Sequence, residues 1–324
     1  MRVAVIGAGM AGLSCADALR EEGHEPALFD KARGPGGRMS TRRCDSPLGT
    51  IAFDHGASHF TARGVAFRQL VSEWHTQGVV APWPVAGRDA WVGTPGMNAP
   101  IKAMAERHPV TWNCPIAGVT HDGRHWWCRG QDRSFGPFDA VVIAVPVEQA
   151  LPLISLHDFQ MARLAMTVGS QPCWAGMFAF AEPLDIGPDM IRHIGPIGWA
   201  VRNSAKPGRT GPEAWVVQGS ADWSATHLED DADRIATLLL DGLAHATGLT
   251  LPTPVVRMAH RWRYATPSGC FANALWNPAL QIGMCGDWLA HGFVEQAWQS
   301  GRALAGQMLG LAQDEGAMGI ARRG

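Results

Sequence analysis

A strand, a glycine cluster, a helix and a second strand ending in an acid, all within the first thirty residues, constrain the fold of this 324-residue chain more than any other feature. Arg2 to Ile6 form an apolar run, and Gly7, Gly9 and Gly12 follow with the spacing G-x-G-x-x-G. Ala11 to Glu22 then carry apolar residues at helical spacing until Gly23, and Glu25 to Asp30 read as a second strand. The result is a β-α-β unit of the length that one crossover connection needs. Each glycine has its own physical role. Gly7 permits the tight turn, Gly9 lets backbone touch a pyrophosphate, and Gly12 lets helix and strand pack closely. The helix start, with the amides of Met10 and Ala11, adds donors and a partial positive charge. Asp30, eighteen residues beyond Gly12, stands where a carboxylate accepts from both hydroxyls of a ribose, and it argues against a 2′-phosphate there. The unit predicts a dinucleotide-binding domain of Rossmann type.

Charge and cysteine content narrow the partners. With 27 Lys plus Arg against 29 Asp plus Glu and no basic run, bulk electrostatics give no basis for nucleic-acid binding or for docking on an anionic membrane. Nowhere do eighteen apolar residues run together, so no membrane span is expected. The seven cysteines (Cys15, Cys44, Cys114, Cys128, Cys173, Cys270, Cys285) are odd in number and contain no C-x-x-C, which fits neither a disulfide framework nor a structural zinc site. Met1 to Cys15 superficially resembles a secretory signal, but its three glycines break the apolar stretch. A reduced, cytoplasmic location is expected.

Along the chain, Ala32 to Thr50 read as an ordered loop, Phe67 to His75 as a helix, and Val110 to Arg129 as a hairpin turning at Asp122-Gly123. Phe138 to Val145 form a continuous apolar run ending at Pro146, as a strand buried on both faces would. Short strands follow at Cys173 to Ala181, Gly198 to Asn203 and Ala214 to Ser220, then a helix from about Asp231 to Thr247, a buried strand from Leu280 to Cys285 and a helix from Val294 to Leu311. The expected architecture is α/β: a discontinuous dinucleotide-binding domain from residues 1–65, 96–150 and 278–312, and an inserted antiparallel-sheet substrate domain from residues 66–95 and 151–277. The tail, residues 313–324, is expected to fray.

The continuation Asp30-Lys31-Ala32-Arg33-Gly34-Pro35-Gly36-Gly37-Arg38-Met39 resembles the opening of the flavin amine oxidase superfamily, a Rossmann fingerprint followed by an acid and then G-G-R. Cys285-Gly286-Asp287 before the helix start Val294-Glu295-Gln296-Ala297 is similar to that superfamily's second cofactor segment. The resemblance is nearest to its renalase-like branch, carried by Phe29 to Arg42, Asp54 to Arg63, His260 to Pro267 and Cys285 to Gly301. It implies non-covalent FAD, with Arg38 on the pyrophosphate and Gly36 and Gly37 bringing backbone close. Gly286 and Asp287 would meet the ribityl and phosphate groups, although Asp287 reads equally as an N-terminal helix cap. The helix from Val294 would aim its amides at the flavin pyrimidine edge, where charge gathers on reduction. Lys31, Met39, Ala57, Ser58, Ile116, Ala144, Glu295 and Ala297 complete the implied FAD contacts. Ser268-Gly269-Cys270-Phe271 only faintly resembles the segment through which some amine oxidases tether FAD.

That branch oxidises dihydronicotinamide dinucleotides reduced at the 2- or 6-position to NAD(P)+, and oxygen then takes the electrons to give hydrogen peroxide. Hydride loss from such a ring needs no general base, so no catalytic side chain is expected. His59, Phe60, Trp174, Trp199 and Tyr264 are the candidates for the substrate pocket. The classical amine oxidases hold a lysine near the flavin N5 and often an aromatic cage, whereas this chain has one tyrosine and no lysine between Lys102 and Lys206. His55 and His59 are four residues apart but lack a third ligand in register, and no metal is expected. An amine oxidase for a small amine and a non-catalytic flavin-binding sensor or scaffold are the alternatives.

Overall fold

The computed structural model of the chain describes residues 1–270, 272–290 and 292–311. Its centre is a parallel sheet built outward from Arg2–Ile6 (β1), whose Val3 to Ile6 are buried as a strand covered on both faces must be. Met10–Glu21 (α1) follows, and Glu25–Phe29 (β2) pairs parallel with β1. On the other side of β1 lies Ala140–Ile143, then Ile282–Met284, both parallel. The edges are Val110–Thr111, parallel to β2, and Leu275–Asn277, antiparallel to Ile282–Met284. Chain connections therefore leave β1 in one direction and Ala140–Ile143 in the other, the arrangement that opens a crevice at the carboxyl ends of the strands.

Helix α1 and the C-terminal helix Val294–Leu309 pack together over one sheet face. They approach at Gly301, where an added Cβ would fall 2.2 Å from the Ala11 carbonyl oxygen and 2.8 Å from the Cys15 nitrogen. Ser14 adds a buried hydrogen bond from its hydroxyl to the Trp298 carbonyl at 2.7 Å. The opposite face is covered by the helices Val147–Ile154 and Phe159–Ala165 and by a small three-stranded sheet, with Trp126, Phe138 and Ile154 at the contact.

A second sheet is antiparallel, in the order Met190–Ile194, Ile197–Arg202, Glu213–Gly219, Ser170–Phe180, Val256–Pro267. The helix Ala232–Thr247 closes one face over Trp174, Phe178 and Trp215. Asp231 caps that helix by accepting from the amides of Asp233 and Arg234, and Gly248 ends it at φ 68°. The other face meets the hairpin Thr41–Ser46/Gly49–Asp54, whose Ile51 and Phe53 pack on Met177, Ala179 and Val216.

Several elements depart from the sequence expectation. The hairpin occupies half of the segment expected to be loop, because the strand Thr41–Ser46 has no buried residue and so shows no apolar alternation. Val110–Thr111 belongs to the parallel sheet, and only Gly118–His121 and Trp126–Arg129 form the hairpin around Asp122-Gly123. The run from Phe138 breaks at Asp139, whose carboxylate accepts from the Arg2 amide at 2.6 Å, so Ser134–Phe138 and Ala140–Ile143 lie in different sheets. Met190–Ile194 and Val256–Pro267 are strands the pattern did not announce. Phe67, Trp74 and Val80 share one core with Leu13 and Leu304 and also with Val201 of the antiparallel sheet, so residues 66–95 pack at the junction of the two sheets. The expected frayed tail and Phe271 lie outside the described residues. If the α1 contact is as tight as Gly301 indicates, Gly301→Ala should destabilise the protein by roughly 1–3 kcal/mol through overpacking. Urea denaturation measures this, and an unchanged midpoint would show that the helices are not pressed together.

Candidate active site and cofactor cleft

The glycine turn, Asp30, Ala144 and the Gly286-Asp287 pair all follow carboxyl ends of parallel strands, so the sheet alone gathers them. At Gly12 an added Cβ would lie 1.9 Å from the Gly7 carbonyl oxygen, which enforces the close packing of turn and helix. Around Gly9 the position of a Cβ has no atom within 4 Å, so the turn presents bare backbone outward at the start of α1. Met10 and Ala11, in the first helical turn, are buried. Asp30 is half-buried, and its two oxygens accept from the amides of Ala8 and Ala32, each at 2.8 Å. Each oxygen keeps a further lone pair for a hydroxyl donor.

Arg38, in the turn Gly37–Met39, forms an ion pair with the buried Asp287 at 2.5 Å and reaches the Ala265 carbonyl at 3.4 Å. Its own carbonyl accepts from the Ala57 amide at 2.8 Å. A Cβ on Gly37 would come within 3.8 Å of the Gly9 Cα, so the G-G-R loop lies beside the glycine turn. Asp287 opens a short turn and caps no long helix; the helix from Val294 has Phe293 at its N-cap, and among the described residues no side chain caps its first amides. Ser300 accepts from the Gly286 amide at 2.9 Å.

Other expected cofactor residues play different parts. Glu295 is buried and accepts from the amides of Arg63 at 2.9 Å and Gly64 at 2.6 Å, fastening the loop after Phe60 to the final helix instead of facing the cleft. Ala297 and Met39 are buried in the core shared with α1, and Val294 is half-buried against it. Ile116 packs on the core around Phe29 and Trp126, and Lys31 is exposed. Ala144 donates its amide to the Ile6 carbonyl at 2.7 Å and lies beside the glycine turn, while Gly36 packs against Ser40. Ser58 shares a 3.0 Å hydrogen bond with His59.

The antiparallel sheet supplies the opposing wall. Arg192 pairs with Trp199, Trp199 with Gln218, Gln218 with Ala175, and Ala175 with His260, and residues directly opposite across strands share a face. This face looks onto the 54–60 segment: Gln218 donates to the Gly56 carbonyl at 2.5 Å, and Trp262 stacks on His55 and donates to its carbonyl at 2.8 Å. The His59 ring lies 5.7 Å from Trp199 and 6.2 Å from Trp83, and the Arg192 guanidinium covers Trp199 at 4.7 Å. Trp174 is on the other face, donating to the His227 carbonyl under the helix, and Phe60 packs on Phe67 in the core; neither belongs to the wall. Tyr264 is half-buried in a bulge between Trp262 and Thr266, next to the Ala265 carbonyl that Arg38 reaches. His55 and His59 therefore serve different neighbours, and no three His, Cys, Asp or Glu side chains converge among the described residues.

Sequence reasoning missed the most heavily charged buried cluster. Asp54, at the hairpin end, accepts from Lys206 at 3.0 Å and Arg209 at 2.5 Å through one oxygen, and from the Thr41 hydroxyl at 2.7 Å and the Met97 amide at 2.9 Å through the other. Burial alone would raise its pKa, but Lys206, Arg209 and the Met97 amide together hold the carboxyl well below the usual range. Apart from Thr41 across the hairpin, these partners are 43 to 155 residues away, beyond the reach of any local pattern.

Burial, with His260 and Arg42, pushes His55 down to about 4; burial, with Lys206 and Arg192, does the same to His59. Both rings are thus neutral at pH 7 in the folded chain, while in the unfolded chain they protonate near their ordinary 6.5. The unfolded state then binds more protons between these values, so stability is complete above pH 6.5 and falls as pH drops toward 4. Melting temperature measured from pH 7.5 to 4.5 should decline in that window, and less steeply in His55→Gln. A flat profile would contradict the neutral histidines.

Comparison with known proteins gives the same architecture. Residues 5–74 match the NAD(P)-binding Rossmann-like domain, and residues 84–309 match the flavin containing amine oxidoreductase family. Mouse (Mus musculus) renalase is 25% identical over 293 residues, covering 82% of this chain and 84% of renalase. Among solved structures, cyclohexylamine oxidase from Brevibacterium oxydans IH-35A superposes with a TM-score of 0.68 at 14% identity, covering 95% of this chain and 98% of the oxidase. Putrescine oxidase bound to putrescine does so with 0.67 at 14% identity, covering 96% and 99%. These last two establish the fold alone. The cleft fits FAD, with bare backbone at Gly9, an acid at Asp30, an arginine at Arg38 and helix amides at Val294 that no described side chain caps. The chain belongs to the flavin containing amine oxidoreductase family and is an FAD-dependent oxidoreductase.

Proposed function

We propose that this enzyme oxidises dihydronicotinamide dinucleotides reduced at the 2- or 6-position to NAD(P)+, as the renalase-like resemblance implies, with O2 as final acceptor and H2O2 as product. The observation that carries this reading is the cationic aromatic wall: Trp199 and the neutral His59 are flanked by Arg192, with Lys206 close enough to depress His59. A flat ring on an anionic dinucleotide suits such a wall, and a protonated amine does not. Of the three lysines, Lys31 and Lys102 are exposed and Lys206 is committed to Asp54, so none is assigned to the flavin.

FAD, when bound, supplies the two-electron acceptor and passes the electrons on to oxygen. The chain's residues position and shield. Gly9, Asp30 and Arg38 hold the dinucleotide half of the cofactor, and the helix amides from Val294 favour the charge that reduction places nearby. His59, Trp199 and Tyr264 pack against the substrate ring and exclude water, with no proton to remove. The parallel sheet takes the cofactor and the antiparallel sheet covers the substrate. A flavin amine oxidase for a small amine is the second reading, favoured by the match to the flavin containing amine oxidoreductase family.

Anaerobic mixing of the FAD-loaded enzyme with borohydride-generated dihydronicotinamide isomers separates these readings. The 2- or 6-dihydro forms should bleach the flavin on the order of a hundredfold faster than 4-dihydro NADH or alkylamines, since about 1 Å of misplacement of the hydride-bearing carbon has an effect of that size. Bleaching by amines alone would return the protein to the amine oxidases. No bleaching by either would favour a flavin-binding sensor or scaffold.

A further inference from the structure

A cavity of about 180 Å³ lies between the hairpin Thr41–Ser46/Gly49–Asp54 and the segment following Arg202, apart from the cofactor cleft. Its lining residues include Arg43 and Arg209 and the hydroxyl-bearing Thr41, Thr50, Ser204 and Thr210, of which Thr41 donates to Asp54 and Thr50 to Asp45, each at 2.7 Å. Arg209 is only 4% exposed; its Nη atoms serve Asp54, Gly93 and Pro207, but its buried Nε–H has no acceptor among the described residues. Ser204 accepts from the Ala214 amide at 3.2 Å and keeps its own proton to donate.

Behind this lining is a charge imbalance. One carboxylate, Asp54, faces two buried basic groups, Lys206 and Arg209; burial pushes the Lys206 amine below its usual range, whereas an arginine stays protonated in any protein setting. A surplus cation in a low-dielectric interior is unfavourable unless a counter-charge comes close. Protein atoms satisfy most donors around Asp54, yet the donor left over belongs to the residue that lines the cavity. A tetrahedral oxyanion matches both its size, well below that of a whole dinucleotide site, and its donor set of guanidinium and hydroxyl groups.

We propose that this cavity binds a phosphate-type oxyanion, either free phosphate or the phosphoryl group of a metabolite, on Arg43, Ser204 and Thr210, with the buried charge of Arg209 behind them. The site does not depend on the proposed substrate.

Isothermal titration of inorganic phosphate into the FAD-loaded protein, at constant ionic strength in chloride, tests it. One saturable site is expected, weakened about tenfold or more in the Arg43→Gln, Thr210→Val double variant, since a charge-assisted hydrogen bond is lost. The variant should keep the wild-type melting temperature in chloride, because neither side chain holds the Asp54 cluster. A parallel titration with NADP+ and NAD+ identifies the source: a variant-sensitive preference for NADP+, competed by phosphate, assigns a nucleotide phosphoryl group, and phosphate binding alone assigns the free ion. Absence of saturable phosphate binding, or binding unchanged by the variant, would overturn the proposal.

Discussion

The ion pair between Arg38 and Asp287 is the contact on which the cofactor cleft depends. It joins residues 249 apart in sequence, one on the loop after β2 and the other just beyond the last parallel strand. Both positions follow carboxyl ends of the same sheet, so the topology brings them together before any side chain chooses a partner. Asp287 is buried, and an unpaired carboxylate there would be strongly unfavourable. A guanidinium has five donors, so Arg38 can hold Asp287 and still offer N–H groups to a pyrophosphate. The same loop is strapped to Ala57, which fixes the start of the segment leading to His59. The G-G-R loop and the aromatic wall are thus mechanically continuous.

That wall owes its form to strand register. Opposed residues from Arg192 to His260 present one face to the 54–60 segment, and the other face is spent on packing beneath the helix Ala232–Thr247. Two histidines kept neutral by burial add polar edges without adding charge, while Arg192 and Lys206 supply the positive field. Asp54 stabilises the junction by binding Lys206 and Arg209 from the loop after Ile197–Arg202 and the Met97 amide from a third segment.

How much of this was legible in the sequence follows from the range of each interaction. The β-α-β unit was readable because its turn, helix and acid are local, and Gly12 has the close packing its place in the motif requires. The central antiparallel strands were readable from apolar runs between turns. Trp174 and Trp199 looked equivalent in sequence and lie on opposite faces, since parity of register is a property of paired strands. Glu295 stood in a cofactor motif but binds two loop amides, and nothing within its own segment announces them. The Asp54 cluster left no signal because its members are ordinary polar residues until folding removes them from water.

The central claim is that the carboxyl edge of the parallel sheet, closed by Arg38, holds FAD. FAD affinity of Arg38→Ala, measured by quenching of flavin fluorescence with the fold checked by circular dichroism, tests it most directly. Loss of the charge-assisted contact should weaken binding by about 1.5–3 kcal/mol, roughly ten- to a hundredfold. A folded variant that binds FAD as tightly as the parent would contradict the account.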